Sequence, residues 1–392
     1  MSKLDLSADK ACDLINELCP AGVEHKRLDD VLVIKNGKDY KHLKEGSIPV
    51  YGSGGIMTYV DEFAYDKPSV LIPRKGSLDK LYYVDTPFWN VDTIFYTEID
   101  TTIVLPKYVF YYLQNEHLEK LNKAGGVPSL TQETLKKVNI FVPPLEIQCE
   151  IVRILDNFTE LTAELTAELT ARKKQYEYYR DSLLSFKDEV EWKTLGEYCK
   201  FIRGPFGGSL KKECFVSEGY AVYEQQHAIY GKLNFRYYID EKKFNELKRF
   251  EVSKNDLIVS CSGTIGKVMI IPENAPKGII NQALLKLTPN ENILPKYLKY
   301  FFESTITNEL NDSARGGAIQ NVPSVGELKS IKIQVPPLEI QERIVNVLDN
   351  FDAICSDLKI GLPAEIEARK KQYEYYRDKL LSFKKMEVYN NE

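Results

Sequence analysis

Apolar positions along this chain change period twice, in the same order each time. Over residues 32–34, 48–51, 70–72, 81–84 and 93–96 they form short β-branched and aromatic clusters between Gly, Pro and Asp, which predicts strands joined by turns. The period then lengthens. Ile147, Ile151, Ile154, Phe158, Leu161, Leu165, Leu169, Tyr176, Tyr179, Leu183 and Phe186 recur mostly at three or four residues, the pattern of one long helix with an apolar seam. Pro143 and Pro144 stop strand pairing and preset the helix start; a helix over 145–187 would span about 65 Å at roughly 1.5 Å per residue. A parallel seam, Ile340, Ile344, Val347, Phe351, Ile354, Leu358, Ile366, Tyr373, Tyr376, Leu380 and Phe383, is interrupted at Gly361-Leu362-Pro363. Neither seam can hide alone, so the two predict an antiparallel coiled coil. Shorter helices are predicted over 8–19, capped by Ser7, and from Leu105-Pro106-Lys107-Tyr108 through Leu121.

The chain repeats itself. Residues 171–187, ARKKQYEYYRDSLLSFK, return at 368–384 with Ser182 replaced by Lys379, and 142–158, VPPLEIQCEIVRILDNF, return at 335–351 as VPPLEIQERIVNVLDNF. The bodies before these helices repeat more loosely: GSLDK at 76–80 matches GTIGK at 263–267, LPKY at 105–108 matches 294–297, and Gly125-Gly126 matches Gly316-Gly317. The offset is 167 where the bodies start, 187 at GSLDK and 193 at VPPLE, so most of the extra length of the second copy lies early. The fold class predicted is α+β: two similar domains of mixed strands and helices, separated by two long helices packed antiparallel with pseudo-two-fold symmetry. The boundaries are 1–144 for the first domain, 145–187 for the central helix, 188–337 for the second domain and 338–392 for the C-terminal helix. Inside the central helix, TAEL at 162–165 is followed by TAEL at 166–169, a segment suited to adjusting length.

Composition narrows the class. At 392 residues, 43% hydrophobic and 28% charged, the chain reads as a soluble protein of two to three domains. Seven cysteines without a CxxC pair and four scattered histidines suggest neither a disulfide framework nor a zinc site. No apolar run approaches a membrane span and the N-terminus has no secretion pattern, so a cytoplasmic protein without membrane contact is expected. A net charge of −5 argues against nonspecific coating of nucleic acid but allows a local basic face.

No catalytic constellation appears. GSGG at 52–55 lacks the dinucleotide spacing, GTIGK lacks a phosphate loop's spacing, VPPLE lacks the Asn or Asp before Pro-Pro of an amino-methyltransferase, and there is no Ser/His/Asp or HExxH set. These residues describe a binding protein with no catalytic, cofactor or metal residue. Packing explains the repeated seams, but Lys173, Lys174, Glu177, Arg180 and Asp181 lie largely off the seam and recur as Lys370, Lys371, Glu374, Arg377 and Asp378. Faces kept in both copies suit two copies of one partner; bodies that diverge suit two different ligands. For DNA, the loops offer Lys35, Asn36, Lys38, Arg74, Lys75, Ser77, Arg203, Ser209, Gln225, Gln226, His227, Lys267 and Arg315, phosphate binders mixed with groups that read base edges. A self-contained nuclease or methyltransferase and a protein-only scaffold are the rival readings.

The VPPLEIQ-to-LDNF element, the TAEL repeats, the RKKQYEYYRD element and the GSLDK and GTIGK bodies together resemble the specificity subunit of type I restriction-modification enzymes. That resemblance covers nearly the whole chain. It implies two target-recognition domains held apart by antiparallel helices, each reading half of a split asymmetric site in double-stranded DNA. It also implies two methyltransferase subunits docked on the helices, added restriction subunits, and S-adenosylmethionine and ATP/Mg held by those partners, with TAEL copy number setting the gap between half-sites.

Overall fold

The computed structural model describes residues 3–122, 128–186, 189–261, 264–306, 324–357 and 359–386. The chain divides into two compact units, Met1–Ala167 with Ala364–Glu392, and Glu168–Pro363. The first contains, in order, α1 (Lys3–Leu18), β1 (Glu24–Arg27), β2 (Leu32–Asn36), β3 (Glu45–Gly52), β4 (Gly55–Val60), β5 (Ser69–Pro73), β6 (Tyr82–Val84), β7 (Trp89–Asn90), β8 (Ile94–Ile99), α2 (Pro106–Asn115), α3 (Gln132–Lys136), β9 (Asn139–Val142) and the first part of α4 (Leu145–Leu183). Its main antiparallel sheet has the order β2-β8-β5-β6; a smaller sheet, β4-β3-β7, pairs β3 with β7 in parallel, and β1 pairs with β9.

The second unit continues with β10 (Trp192–Thr194), α5 (Leu195–Tyr198), β11 (Cys199–Arg203), β12 (Phe215–Val216), β13 (Tyr220–Tyr223), α6 (Gln225–Tyr230), β14 (Tyr238–Ile239), α7 (Glu241–Glu246), β15 (Leu257–Ser260), β16 (Val268–Ile270), β17 (Gly278–Ile280), β18 (Leu284–Pro289), α8 (Pro295–Phe301), α9 (Val325–Ser330), β19 (Lys332–Gln334) and α10 (Leu338–Ser356); α11 (Leu362–Leu381) then leads back to the first unit. Its main sheet, β11-β18-β15-β16, repeats the first unit's order, β13 runs parallel to β17 as β3 does to β7, and β10 pairs with β19 as β1 does with β9. The additional elements β12, α6, β14 and α7 all fall between β11 and β15, where the sequence offsets place the extra length.

All five strands expected from the first body are present. The strands β1, β7 and β9 lie outside the expected set because two to four residues give little period-2 signal, and β4 (GIMTYV) lies outside it because its apolar residues do not alternate. Helix α1 starts at Lys3, so Ser7 lies inside it, and α2 stops at Asn115 because His117 turns left-handed (φ 50°) before a 3-10 turn over Leu118–Leu121. The central helix ends at Leu183 and is 39 residues long, about 58 Å at 1.5 Å per residue. In the C-terminal copy the break at Gly361 separates α10 from α11, and the chain tolerates no Cβ at Gly361, which would come within 2.5 Å of the Ala353 carbonyl.

The repeated motifs meet one another. In the first unit the fully buried Gln148 accepts a hydrogen bond from the Leu105 N–H at 2.8 Å and donates to the carbonyls of Ile103 (3.0 Å) and Pro143 (2.8 Å). In the second, Gln341 accepts from the Leu294 N–H at 2.8 Å and donates to Asn292 (2.9 Å) and Pro336 (2.8 Å). One turn along each LPKY helix, Lys107 and Tyr111 reach Asp156 at 2.7 and 2.6 Å, and Lys296 and Tyr300 reach Asp349. Tyr108 and Tyr297 donate to the carbonyls of Phe141 and Gln334, both at 2.9 Å. LPKY and VPPLEIQ-to-LDNF are therefore two halves of one clamp that fixes each body on its helix.

The seams also exchange partners between copies. In the first unit Phe158 of α4 stacks on Tyr376 of α11, centroids 5.7 Å apart; in the second, Phe351 of α10 stacks on Tyr179 of α4 at 5.5 Å. Not every seam residue is covered. Val347 and Ile354 are 41% and 42% exposed, while Gln341, Ile344, Val345, Leu348 and Cys355 form the buried stripe of α10. That helix packs on its own body as well as on α4, which turns its buried face about one residue from the expected seam; Leu358 lies outside the described residues.

One carboxyl in the second unit is strained electrostatically. Glu303, just beyond α8, faces a cavity of about 640 Å³ with Tyr176, Arg180, Lys267, Lys299, Tyr300 and Asp352. Burial pushes its pKa up, Lys299 and Lys267 oppose that rise, and Asp352 adds to it.

Replacing Gln148 by Ala strands one buried and two partly buried backbone groups, and urea unfolding should show a loss of about 3 kcal/mol. A raised carboxyl pKa contributes stability below the unfolded pKa and loses it as pH rises through the folded one. Glu303→Gln should therefore raise the melting temperature relative to the parent at pH 8, with the difference vanishing near pH 4.

Candidate nucleic-acid interface

In the first unit, the end of the main sheet gathers most of the candidate loop residues. Asn36 closes β2 opposite Phe95, Pro73 closes β5 opposite Ile94, and the next residue, Arg74, donates its N–H to the Thr93 carbonyl at 2.9 Å. Arg74 holds its guanidinium over the Phe95 ring at 5.8 Å. Lys38 and Lys75 are exposed, as is Ser77. Lys35 is the exception, ion-paired at 3.5 Å with Glu98 of the neighbouring strand β8. Asn36 is exposed and its amide oxygen accepts from Gln132 at 3.2 Å.

The same place holds residues that loop composition did not single out. The GSGG stretch is the tip of the β3–β4 hairpin, with Ser53 donating its N–H to Thr93 Oγ1 at 3.3 Å and Gly55 at φ +112°. Ser53, Thr93 and Gln132 thereby join Asn36 and Arg74. Of the three, only Ser53 carries a sequence signal, the glycine-rich turn compared above with the dinucleotide spacing.

The second unit builds the equivalent end from other side chains. Arg203 closes β11, the Gly204 N–H donates to the Leu284 carbonyl at 2.9 Å, and Cys261 donates to Ala283 at 2.9 Å. Gly37 and Gly204 occupy matching positions, and neither has room for a side chain: a Cβ would come within 2.1 Å of the Val91 carbonyl or 1.8 Å of the Asn281 carbonyl. The Asn281 N–H donates to Tyr223 at the end of β13, which brings the start of α6 beside the same edge. Gln225 and Gln226 are partly exposed there, Gln226 donating to Glu224 at 3.0 Å. Ser209 is half-buried and donates its N–H to the Phe206 carbonyl.

Two candidates have other surroundings. His227 is fully buried, accepting the Glu224 N–H at 2.8 Å and donating to the Asn234 carbonyl at 3.1 Å; it holds the loop's shape and is closed off from the surface. Lys267 is exposed and lines the cavity with Arg180 and Glu303. Arg315 lies outside the described residues.

The repeated helix faces divide by burial. Lys173, Lys174, Glu177 and Asp181 are exposed, as are Lys370, Lys371, Glu374 and Asp378. Arg180 and Arg377 are only 15% and 16% exposed. Each packs over a seam tyrosine, Tyr176 or Tyr373, at 5.7 Å and pairs with the next aspartate at 2.8 Å. Tyr178 and Tyr375 stand out instead. They are 70% and 60% exposed at matching positions, each set edge-on against its neighbour, Tyr179 or Tyr376. Among the described residues no cluster of His, Cys, Asp and Glu could hold a metal, and no helix is long and apolar enough to cross a membrane.

The chain matches a family model described as the type I restriction modification DNA specificity domain twice, over residues 20–172 and 187–368. The specificity subunit of an Escherichia coli type I restriction enzyme is 40% identical over 393 residues, 96% of each chain. A putative type I restriction enzyme specificity subunit of Haemophilus influenzae is 32% identical, over 92% of this chain and 96% of its own. The fold is shared with the S subunit of a type I system from M. genitalium (TM-score 0.57, 18% identity, 91% of this chain and 96% of that one) and with a chain from a structure of type I complex assembly (TM-score 0.62, 17% identity, 92% and 97%). Two matched domains on two units of one topology, with relatives 40% and 32% identical over nearly the whole chain, mean that this chain belongs to the type I restriction-modification DNA specificity family and is a specificity subunit.

Proposed function

We propose that the two units each read one half of a split, asymmetric site in double-stranded DNA, and that the repeated helix faces carry two copies of a methyltransferase subunit. One observation carries this. Equivalent ends of the two main sheets share backbone geometry yet present different side chains, Asn36, Arg74 and Ser53 in one and Arg203, Gln225 and Gln226 in the other, whereas the exposed residues of the RKKQYEYYRD motif are the same in both copies. Diverging edges suit two half-sites; identical faces suit one partner bound twice. Asparagine and glutamine suit adenine and arginine suits guanine in the major groove, while the lysines contribute phosphate contacts.

In this reading residues 1–144 and 188–337 are the target-recognition domains, and 145–187 with 338–392 form the spacer. The chain itself transfers no methyl group and cuts no DNA. S-adenosylmethionine belongs to the methyltransferase partners, and ATP and Mg to restriction subunits that join the assembly in the cytoplasm. The net charge of −5 is consistent with DNA binding confined to the sheet ends.

The tandem TAEL units lie in unbroken α4, so removing 166–169 shortens the helix by about 6 Å, against roughly 3.4 Å per base pair. Mapping of methylated adenines in a host carrying the deletion should show both half-sites retained and the gap between them changed by one or two base pairs. Unchanged spacing would refute the ruler. Tyr178→Ala and Tyr375→Ala should each weaken one methyltransferase contact about tenfold or more, seen by calorimetry as two unequal binding steps in either single variant.

A further inference from the structure

Phe206 is 93% exposed, the most exposed large apolar side chain among the described residues. It is not a loose loop residue. Gly204 before it is pinned against the Asn281 carbonyl and donates to Leu284, and Pro205 is buried. After it, the Ser209 N–H donates to the Phe206 carbonyl at 2.8 Å, and Leu210 is buried in a small core with Val222, Ile239 and Phe244. The loop is thus fixed on both sides and holds an aromatic ring in water.

Its surroundings indicate what the ring meets. Arg203 closes the strand three residues earlier, and Lys211 and Lys212 are exposed just beyond, with Glu213 the nearest carboxylate in sequence. The loop leaves the end of β11, the position from which the first unit presents Asn36 and Lys38. In that unit the chain continues with Asp39 and carries no exposed aromatic ring at the matching place. A solvent-exposed ring on a rigid, cation-flanked loop is the arrangement that wedges into a duplex base step. We infer that Phe206 inserts between base pairs of the half-site read by the second unit, so that this half-site is selected by how easily a step unstacks as well as by hydrogen bonds. This rests on the DNA-reading role proposed above.

The test uses the specificity subunit assembled with its methyltransferase, and duplexes carrying the site mapped from methylated adenines, with 2-aminopurine placed at successive steps of the second half-site. The parent complex should raise 2-aminopurine fluorescence at one step. Phe206→Ala should abolish that rise and weaken binding about ten- to hundredfold, the range for loss of a base–aromatic contact. The slope of log affinity against log salt should stay unchanged, because no phosphate charge is involved. Phe206→Leu should keep most of both signals, and the exposure of the site makes misfolding an inadequate explanation for the alanine variant. Parental affinity and fluorescence in Phe206→Ala, weaker DNA binding with fluorescence unchanged, or weaker methyltransferase binding at full DNA affinity would each overturn the inference. If the parent complex and Arg203→Ala both ignore the sequence of this half-site, it is the DNA-reading role that fails.

Discussion

Each unit depends on one buried glutamine. Gln148 and Gln341 are fully buried polar side chains at the start of the helices, and each ties two backbone groups of the turn into LPKY and one carbonyl of its own Pro-Pro step. Buried backbone polar groups must be paired, so the glutamine settles where the body can sit on its helix. The aspartates Asp156 and Asp349 repeat the demand two turns on by taking a lysine and a tyrosine from α2 or α8. Loops elsewhere in the body can change while these contacts tie each LPKY helix to the VPPLEIQ-to-LDNF helix. That is the physical condition under which one scaffold can carry the different edges proposed to read DNA.

The edges show how such change is confined. The glycines at 37 and 204 occupy positions where the chain passes under a neighbouring carbonyl with no space for Cβ, so the path out of the first sheet strand is set. Beyond it the units differ in length and content. The first returns through a glycine-rich hairpin tip, and the second inserts a loop with Phe206 and the helix α6. His227 and the Glu224–Arg236 pair, bidentate at 3.1 and 2.8 Å, keep that insertion in shape.

The helices separate packing from display by residue type. Arginines of the repeated motif are spent on seam tyrosines and adjacent aspartates, whereas its lysines, glutamates and outer tyrosines face outward. Charge alone would have placed all of them in one class. For the proposed partner face, exposed Tyr178 and Tyr375 suit anchoring better than the flexible lysines beside them, because a rigid ring loses less side-chain entropy on docking.

Repetition and periodicity in the amino-acid sequence were sufficient for the duplicated α+β plan, the strand clusters, the long helix, its break at Gly361 and the place of the inserted length, because these depend on local pattern and on comparing the chain with itself. Motif resemblance reached the family for the same reason. Tertiary structure decided what pattern could not encode. It turned the buried face of α10 away from Val347 and Ile354, made Gln148 and Gln341 core residues despite their polarity, and removed His227 from the set of possible contacts. It also drew Ser53, Thr93 and Gln132 to the edge that Asn36 and Arg74 occupy. Each of these outcomes is set by partners far away in the chain, and hydrogen bonds between residues such as 53 and 93, or 36 and 132, leave no trace in local period or composition.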